Sequence, residues 1–592
     1  MEGKNPSHTG IFLNAYDKRE FSSEEVIARE GGQNASDAGR DIPGTTVLEF
    51  QKIKFKGKNK EKLIRLFDFE SALKTRVKGM SERNQDKPVA DGIKELLKTD
   101  EITCLLIRDF HTCGLGGKWD SFERGNHFAR LVTATNLDDK SDSENLGGSF
   151  GAGKTEYAKS SKIRTVIYHS VFQETAESEG AYRRLMAAGV YPKHTNENDS
   201  ATYSGFGYFG TKVKRDGRYE AAPFVNEEAE SIWNAIQELT EHNSDISRNK
   251  GETGTDILIF MDSLDLAEIK RAIEDYYFPA LLDGQLAVHF IDFDGERESP
   301  NPNDRTDLDQ FINLWKRSKE KKPIKKDELV VDRFRKIKDK NLGWYAFEEA
   351  EEDEAKTKKN NTVALSRGTG MIINYVPCGS DRYESAVGFF EADDDVAQYL
   401  RSSENAAHSE WNSDQDRLKN AFGEDGQKTV ASINKQIKDK FGAFQRNLQP
   451  DVSYSRTQVG LLSRLLSKAL SGKASSETPP EGERRPFAVE TDHSRSDSQS
   501  IWSLIISENE DTPDGEIDIR VTPRIAIAGD SKLVAVKKKP FKVFDGNGKE
   551  VDGENLDFKF KKGVEIKLTV KFDNPGNLNY LVKFPVVVSE GG

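Results

Sequence analysis

The spacing of apolar positions predicts a series of strands in the first 300 residues. The segment TVLEFQKIKF alternates between apolar and polar positions with the period of two that is typical of a half-buried strand. Three more apolar runs, ITCLLIRDF at 102–110, IRTVIYHSVF at 163–172 and TDILIFMDS at 255–263, predict buried strands. The segment GQLAVHFIDFDG, within 284–300, predicts a hairpin.

Helical spacing marks three other segments. Residues 21–39 begin with Phe-Ser-Ser-Glu-Glu, in which Ser22 or Ser23 can cap a helix and the two glutamates occupy its first turn. LAEIKRAIEDYYFPAL predicts an amphipathic helix after the strand at 255–263. Residues 410–471 read as helical and end in leucines at three-to-four spacing, namely Leu461, Leu462, Leu465, Leu466 and Leu470.

The remaining pattern predicts a multidomain α+β protein. TVALSRGTGMIINYVP at 362–377 is strand-like around a glycine turn, 471–486 has the composition of a linker, and 487–592 has the short strands and turn pairs of a small β-sandwich. A chain of 592 residues is too long for one core. With 35% apolar and 32% charged residues, we expect folded domains joined by solvated, charged connections.

Charge and cysteine usage narrow the class of protein. A net charge of −13 does not attract nucleic acid, so a DNA contact requires a local basic patch. Cys104, Cys113 and Cys378 lack metal-type spacing and fit a reducing cytoplasm. No run approaches the roughly 18 apolar residues of a membrane span, and MEGKNPSHTG lacks the apolar stretch of a signal peptide. We therefore expect a cytoplasmic protein.

The first candidate site is Glu30-Gly-Gly-Gln-Asn34-Ala-Ser-Asp37-Ala38. Positions i, i+4 and i+7 of a helix share a face, so Glu30, Asn34 and Asp37 aim at one place. A carboxylate can deprotonate a water, and a carboxamide oxygen suits Mg²⁺. A merely polar helix face is the alternative, although two glycines in the helix, each costing about 1 kcal/mol against alanine, favour function.

Two further patterns follow or begin buried strands. Asp109 ends the strand 102–110 and precedes Gly114, Gly116 and Gly117, so its carboxylate can accept a hydrogen bond while the glycines admit a ligand close to the backbone. Gly254-Thr255-Asp256 begins another strand. Taken alone, each also fits an ordinary turn.

The last pattern, Gly147-Gly148-Ser-Phe-Gly151-Ala-Gly153-Lys154-Thr155, predicts a phosphate site. Consecutive backbone N–H groups in such a loop form an anion nest, to which Lys154 adds charge. Gly148, Gly153, Lys154 and Thr155 also satisfy the Walker A string. A P-loop requires a buried strand before the glycines, and NLDDKSDSENLG is too polar for one, so the sequence disfavours this alternative.

In this order, the four patterns resemble the nucleotide-binding motifs of the gyrase, chaperone, histidine-kinase and MutL (GHKL) ATPases, the Bergerat fold. The resemblance implies Glu30 as general base, Asn34 as Mg²⁺ ligand, Asp37 in a supporting role and Asp109 on the adenine amine. It also implies Gly151, Gly153 and Lys154 in a lid over the phosphates and Thr255 near the adenine. The second box departs from Asp-x-Gly-x-Gly, because His111 and Cys113 occupy its glycine positions.

A narrower resemblance, to prokaryotic relatives of the MutL and MORC ATPases of restriction or phage-defence clusters, is carried by GTDILIF, YYFPALLDGQLAVHF, ALSRGTGMIINY and SENAAHSEW. The resemblance implies an ATP-binding domain at 1–265 and a transducer of ribosomal-S5-like topology at 266–400. The pattern of residues, not the resemblance, predicts the helical region at 401–470 and the β domain at 487–592. His408 and Trp411 could form a site, but a packing role at a helix start is favoured.

The expected function is slow, Mg²⁺-dependent ATP hydrolysis that drives conformational switching and N-domain dimerisation. By resemblance, the partners are ATP, DNA and helicase-like or nuclease proteins of a defence complex. Three alternatives stay open: a non-catalytic ATP-sensing scaffold, a P-loop NTPase and a histidine-type protein kinase.

Overall fold

The computed structural model describes residues 21–81, 86–123, 125–133, 152–195, 202–203, 205–215, 217–351, 359–368, 370–380, 383–405, 408–448, 486–495, 499–509, 512–527, 541–551, 556–573, 580–584 and 586–588. The chain divides into two compact units, Met1–Asp451 and Val452–Gly592. The predicted fold class, a multidomain α+β protein, is confirmed.

The helices are α1 (Ser23–Gly39), α2 (Gly57–Leu66), α3 (Phe69–Lys74), α4 (Val77–Ser81), α5 (Lys87–Lys98), α6 (Ala152–Lys159), α7 (Asn226–Leu239), α8 (Leu266–Leu282), α9 (Asp309–Lys319), α10 (Asp394–Ser403) and α11 (Asp416–Leu448).

The strands of the first unit are β1 (Thr46–Lys56), β2 (Glu101–Phe110), β3 (Thr165–Val171), β4 (Arg183–Val190), β5 (His194–Thr195), β6 (Thr202–Tyr203), β7 (Phe206–Phe209), β8 (Thr211–Arg215), β9 (Arg218–Ala222), β10 (Phe224–Val225), β11 (Gly254–Phe260), β12 (Leu286–Ile291), β13 (Arg297–Glu298), β14 (Ile324–Lys325), β15 (Leu329–Arg333), β16 (Gly343–Glu349), β17 (Thr362–Ser366), β18 (Ile372–Pro377) and β19 (Ala386–Ala392).

The first sheet has the order β10-β4-β3-β11-β2-β1-β12-β13, with β7 also paired to β4. Its pairs are antiparallel except β1 with β12, which is parallel. Alternate residues of β2 enter separate cores, since Leu105 and Ile107 pack with α1 and α8 while Cys104 and Leu106 pack with α2, α5 and α7. Helices therefore cover both faces of this sheet, which explains why its strands read as almost continuous apolar runs.

The second sheet of this unit has the order β14-β15-β16-β19-β17-β18. Alternate residues of β16 again face two cores: Ala346 packs with α9, and Phe347 packs with α11. The predicted domain boundary between residues 265 and 266 stays a prediction, and β12, which lies beyond it, joins the first sheet.

The second unit contains β20 (Ala488–Arg495), β21 (Gln499–Ser507), β22 (Ile517–Val521), β23 (Arg524–Ile527), β24 (Phe541–Asp545), β25 (Glu550–Val551), β26 (Leu556–Phe560), β27 (Ile566–Asp573), β28 (Tyr580–Lys583) and β29 (Val586–Val588). Leu504 and Leu568 of the sheet β20-β21-β27-β24-β25 share one core with Ile519 and Phe560 of the sheet β26-β22-β29. Two sheets around one core form a small β-sandwich.

Two features predicted for residues 461–486 fall largely outside the described residues. The leucine stripe at 461–470 lies wholly outside them, as does the linker 471–486 except for Pro486. No helix in the described part of the chain is long and apolar enough to cross a membrane.

Candidate functional site

Helix α1 begins where the sequence predicts. Ser22 is its N-cap and accepts a hydrogen bond from the backbone N–H of Glu25 at 3.2 Å, while the Glu25 carboxylate accepts from the Ser22 N–H at 2.7 Å. This capping box satisfies two backbone donors that a helix start otherwise leaves unpaired. It fixes the register of Glu30, Asn34 and Asp37, which lie eight to fifteen residues beyond Ser22.

The glycines of α1 permit close packing. A Cβ on Gly32 would lie 2.4 Å from the ring of Tyr277 on α8, and one on Gly31 would lie 3.4 Å from Phe50 on β1. The Tyr277 hydroxyl donates to the carbonyl of Arg29 at 2.6 Å. The helix therefore tolerates the conformational cost of glycine because α8 approaches its backbone at this point.

Tyr157 of α6 links the face of α1 to the end of β2. Its side chain is fully buried, and its hydroxyl lies 3.4 Å from Nδ2 of Asn34. Burial raises the pKa of this hydroxyl, and the negative charge of Glu30 and that of Asp109 raise it further. Residues of two sequence patterns therefore influence the pKa of Tyr157, a side chain that no motif had singled out.

Glu30 and Asn34 differ in exposure and in their hydrogen-bond partners. Glu30 is only 7% exposed, and burial raises its pKa to about 8; Arg29 opposes the shift, whereas Glu156 and Asp37 add to it. Asn34 is exposed, and its carbonyl oxygen Oδ1 has no hydrogen-bond partner among the described residues. A buried carboxyl with a raised pKa and an open amide oxygen suit a proton acceptor and a hard-cation ligand.

Asp37 is held by two cations. Arg40 pairs with it one turn further along α1, and Nη2 of Arg401 on α10 lies 3.1 Å from its Oδ2. The position is therefore a link between α1 and α10, which extends the supporting role implied by the resemblance.

Asp109 presents one oxygen for a ligand. Its Oδ1 accepts from the Thr112 hydroxyl and, at 3.1 Å, from the backbone N–H of Thr255, whereas Oδ2 has no partner in the described part of the chain. Burial raises the pKa of this carboxyl to about 6, against the opposing charge of Arg248. The two protein donors fix the carboxylate plane and leave Oδ2 as the remaining acceptor.

The glycine-rich turn after β2 packs against β3, which pairs in the sheet with β11, the strand that contains Thr255. The backbone N–H of Leu115 donates to Oγ of Ser170 at 2.8 Å, and that oxygen lies 3.4 Å from Oγ1 of Thr255. Gly114 has a φ of +64°, and a Cβ there would lie 2.4 Å from the carbonyl of Val171. Gly116 is less constrained, since a Cβ would meet Phe172 at 3.5 Å, an ordinary contact distance.

The departure in the second box has a structural account. His111 stands at the first glycine position with a φ of 57°, the left-handed region that glycine favours. Its Nδ1 lies 2.9 Å from the carbonyl oxygen of Thr45, and the backbone N–H of Cys113 donates to the carbonyl of Ala38 at 2.9 Å. Histidine therefore adopts the glycine conformation here, and the turn reaches the C-terminal end of α1.

A buried ion cluster behind Asp109 was missed by the sequence analysis. Asp256 is fully buried and accepts from Nε of Arg108 at 2.9 Å, from Nη2 of Arg248 at 2.7 Å and from Nδ1 of His169 at 2.7 Å. The same Nη2 of Arg248 donates to the carbonyl of Asp109 at 2.7 Å. Charged residues inside the apolar strands ITCLLIRDF and TDILIFMDS were the available signal, because buried charges require partners.

The predicted phosphate loop is described only in part. Gly148 and Gly151 lie outside the described residues, whereas Gly153 and Lys154 lie in the first turn of α6, where the backbone alone is described. Across the described residues, no group of three or more His, Cys, Asp or Glu side chains could hold a metal ion.

Another predicted feature has a packing role. His408 is buried, and its Nδ1 pairs with Glu404, which also lies 3.0 Å from Nε of Arg367. The carbonyl of His408 accepts from Nη2 of Arg29 on α1 at 2.6 Å. The segment therefore packs against the N-terminal half of α1, but not at a helix start, because α11 begins only at Asp416.

No family model matches this chain, and no curated protein sequence matches it. Solved structures similar to it include the ATPase region of Saccharomyces cerevisiae topoisomerase II bound to ICRF-187 (9% identity, TM-score 0.28, 70% of this chain and 86% of that one). Others are the ATPase and transducer domains of Balamuthia mandrillaris topoisomerase II (10%, 0.29, 71% and 85%) and the B-subunit of Myxococcus xanthus DNA gyrase (10%, 0.27, 77% and 93%). Similarity at this level does not establish the function of the chain.

Proposed function

We propose that this chain binds ATP with Mg²⁺ and hydrolyses it slowly, with α1 and the end of β2 forming the site. The observation that supports this most strongly is the contact of Asn34 with the buried hydroxyl of Tyr157, whose pKa the charges of Glu30 and Asp109 both raise. Residues from two distant segments, α1 and the end of β2, supply a buried carboxyl, an open amide oxygen and a second carboxylate. That set matches the needs of a metal–nucleotide site better than those of a polar surface.

The described side chains fit an adenine nucleotide. Oδ2 of Asp109 is the open acceptor for an exocyclic amine, and Thr255 adds a hydroxyl beside it. Gly114 keeps the turn near Ser170 narrow, as a close backbone approach requires. Asn34 would hold Mg²⁺ through Oδ1, with Asp37 supporting the helix. Gly116 borders the adenine end, and Gly148, Gly151, Gly153 and Lys154 are proposed to cover the phosphates.

Glu30 is proposed to take the proton from the attacking water. A bound Mg²⁺ would neutralise phosphate charge and polarise the transferring phosphoryl group. Glu30 must be ionised to act, and burial holds its pKa at about 8 in the free protein. Cations brought near this carboxyl would lower that pKa toward neutrality.

Conformational switching is the proposed output. Asp37 pairs with Arg401 at 3.1 Å, and Arg29 donates to the carbonyls of Ile373 and His408 at 2.9 and 2.6 Å. These contacts join the nucleotide helix to residues 372–408, so a shift of α1 would reach them directly. We further propose, from the sequence resemblance to MutL and MORC ATPases, dimerisation on ATP binding and a defence complex with DNA and helicase-like or nuclease partners.

A non-catalytic ATP-sensing scaffold is the rival from another class. It would use the same pocket without needing Glu30 as a base. Glu30→Gln separates the two functions, because glutamine keeps the size of the side chain but cannot accept the proton. We expect unchanged ATP affinity by calorimetry and a loss of turnover of about 10²–10⁴ in a phosphate-release assay.

The matched control is Glu24→Gln, which removes a carboxylate from the first turn of the same helix. Its turnover should equal that of the wild type. Equal turnover in Glu30→Gln would overturn the catalytic role, and wild-type protein that binds ATP without turnover would favour the scaffold.

A further inference from the structure

A cavity of about 350 Å³ lies beside the candidate nucleotide face of α1. The C-terminal half of α1, the α8 helix, the start of β1 and the loop between β17 and β18 enclose it. Asp37 borders it, whereas Glu30, Asn34, Asp109 and Thr255 are absent from its described lining. The cavity is therefore a separate space on the next flank of the same helix.

Two buried polar groups line this cavity without enough partners. Gln33 is 6% exposed, and its buried Oε1 has no hydrogen-bond partner among the described residues. Arg367 is 4% exposed; its Nε lies 3.0 Å from Glu404, but neither terminal nitrogen donates to any described residue. Buried polar groups in folded proteins are nearly always hydrogen-bonded, so an acceptor and a guanidinium left open in one cavity wall indicate a guest.

The charge of the lining indicates the sign of that guest. Arg40 and Arg367 contribute two positive charges, and Asp37 contributes one negative charge. Asp37 is itself paired with Arg40 and Arg401, which reduces its repulsion of an anion. A guanidinium offers paired donors that match the oxygens of a phosphate or carboxylate.

The open acceptor narrows the chemistry further. Oε1 of Gln33 can only receive a hydrogen bond, so the guest must carry a donor as well as anionic oxygens. A hydrogen phosphate ion has both, because its P–OH group donates and its other oxygens accept. Ser36 and Thr46 add hydroxyls to the wall, which can serve either purpose.

We propose that this cavity binds inorganic phosphate, with Arg367 and Arg40 receiving its charge and Gln33 accepting from its hydroxyl. The source of the phosphate rests on the proposed function, since ATP hydrolysis releases it next to Asp37. The binding itself depends only on the cavity.

Calorimetric titration of phosphate into the full chain without nucleotide tests this directly, with sulfate as the comparison anion. Sulfate has similar size and oxygen geometry but carries no hydroxyl donor at neutral pH. We expect saturable phosphate binding and sulfate binding roughly tenfold weaker, the effect of one lost hydrogen bond. No saturable binding, or equal affinity for both anions, would overturn the proposal.

Gln33→Met removes the open acceptor and keeps the length of the side chain. It should weaken phosphate binding roughly tenfold and abolish the preference over sulfate. The melting temperature should stay level or rise, because a buried acceptor without a partner is lost. Gln237→Met is the matched control, since Oε1 of Gln237 is also buried without a partner but lies outside the described cavity lining.

Arg40→Gln gives a second variant that does not disturb the core, because the Arg40 side chain is 47% exposed. It too should weaken phosphate binding, whereas unchanged affinity in both cavity variants would refute the site. Titration in the presence of saturating ADP separates this site from the nucleotide site. Phosphate binding that persists with ADP bound supports the cavity as the site. If phosphate competes with ATP, and Gln33→Met does not change its affinity, the anion binds in the nucleotide site instead. If the protein binds phosphate but not ATP, the phosphate site stands, and only ATP hydrolysis as the source of the phosphate is refuted.

Discussion

Asp256 and Asp109 lie on neighbouring strands of the first sheet, yet their surroundings oppose each other. Burial disfavours the charge of Asp256, but Arg248 and Arg108 outweigh it and hold the pKa of that carboxyl well below its usual range. Burial raises the pKa of Asp109 to about 6, because one shared cation does not compensate for it. Both oxygens of Asp256 are occupied by protein donors, whereas Asp109 keeps one free.

This contrast separates a structural charge from a functional one. The cluster around Asp256 leaves no oxygen open, so it stabilises the sheet and positions Arg248 against the backbone of Asp109. Asp109 carries an incomplete set of partners, as a carboxylate that awaits a ligand must. A carboxyl that has a shifted pKa and an oxygen without a protein partner is the better candidate for binding a ligand.

The largest effect should come from breaking the saturated region. Asp256→Asn leaves Arg108 and Arg248 buried without their counter-charge, which typically costs about 3–5 kcal/mol of unfolding free energy. Urea unfolding followed by circular dichroism measures this loss. Asp91→Asn, at the exposed pair with Lys94, is the control and should change little. A stable Asp256→Asn protein would show that the cluster is not what holds the strands.

A smaller and more selective effect is expected at the open region. Asp109→Asn removes the charge proposed to face the adenine amine, so ATP binding should weaken by roughly 1.5–3 kcal/mol while the fold persists. GTP lacks an amine at that ring position and should lose less. Calorimetry with both nucleotides measures the difference, and an equal loss for ATP and GTP would mean that Asp109 acts through folding.

The pH dependence sharpens the same comparison. In the proposed site, ionised Asp109 is the form that accepts from adenine, so ATP affinity should fall as pH drops through about 6, roughly tenfold between pH 7 and pH 5. The contribution of Asp109 to folding stability changes with pH in the opposite direction. Because its pKa is raised, Asp109 favours folding below its ordinary pKa, and this stabilisation is lost as pH rises through 6. Asp256, with its lowered pKa, stabilises the fold above its ordinary pKa and ceases to do so only in strong acid.

Asp109→Asn should remove the acid limb of ATP affinity near pH 6. Fluorescence titration of a nucleotide across pH 5–8 in both proteins would measure it. An acid limb that survives in the variant must belong to another titratable group. The groups that interact with the Asp109 carboxyl are Cys113, Tyr157 and Arg248.

Pattern alone predicted the elements that carry the site. The alternation of β1, the buried runs of β2 and β11 and the Ser22 cap of α1 are local properties, and the structure places all of them as expected. The predicted hairpin at 284–300 appears as β12 and β13. The three-to-four spacing that places Glu30 and Asn34 on one face of α1 is equally local.

The missing parts depend on contacts between distant segments. Tyr157 meets Asn34 across 123 residues, and Arg248 meets the carbonyl of Asp109 across 139. Neither belongs to a spacing pattern, so only the fold reveals them. Arg108 and Asp256 did carry a signal, as charges within apolar strands, but not the identity of their partners. The phosphate-covering roles of Gly148, Gly151 and Lys154 stay predictions.

The central claim is that Asn34, and not Thr155, holds the metal with the nucleotide. Both residues fit a magnesium site by sequence, since Thr155 would be its ligand in a P-loop. Mg²⁺ demands near-octahedral oxygen ligands and is sensitive to the loss of its protein ligand. Nucleotide affinity should be measured across a Mg²⁺ titration in Asn34→Ala and Thr155→Ala. We predict that Asn34→Ala abolishes the Mg²⁺-dependent gain in ATP affinity and that Thr155→Ala largely keeps it. A crippled Thr155→Ala beside an unaffected Asn34→Ala would contradict the site described for α1.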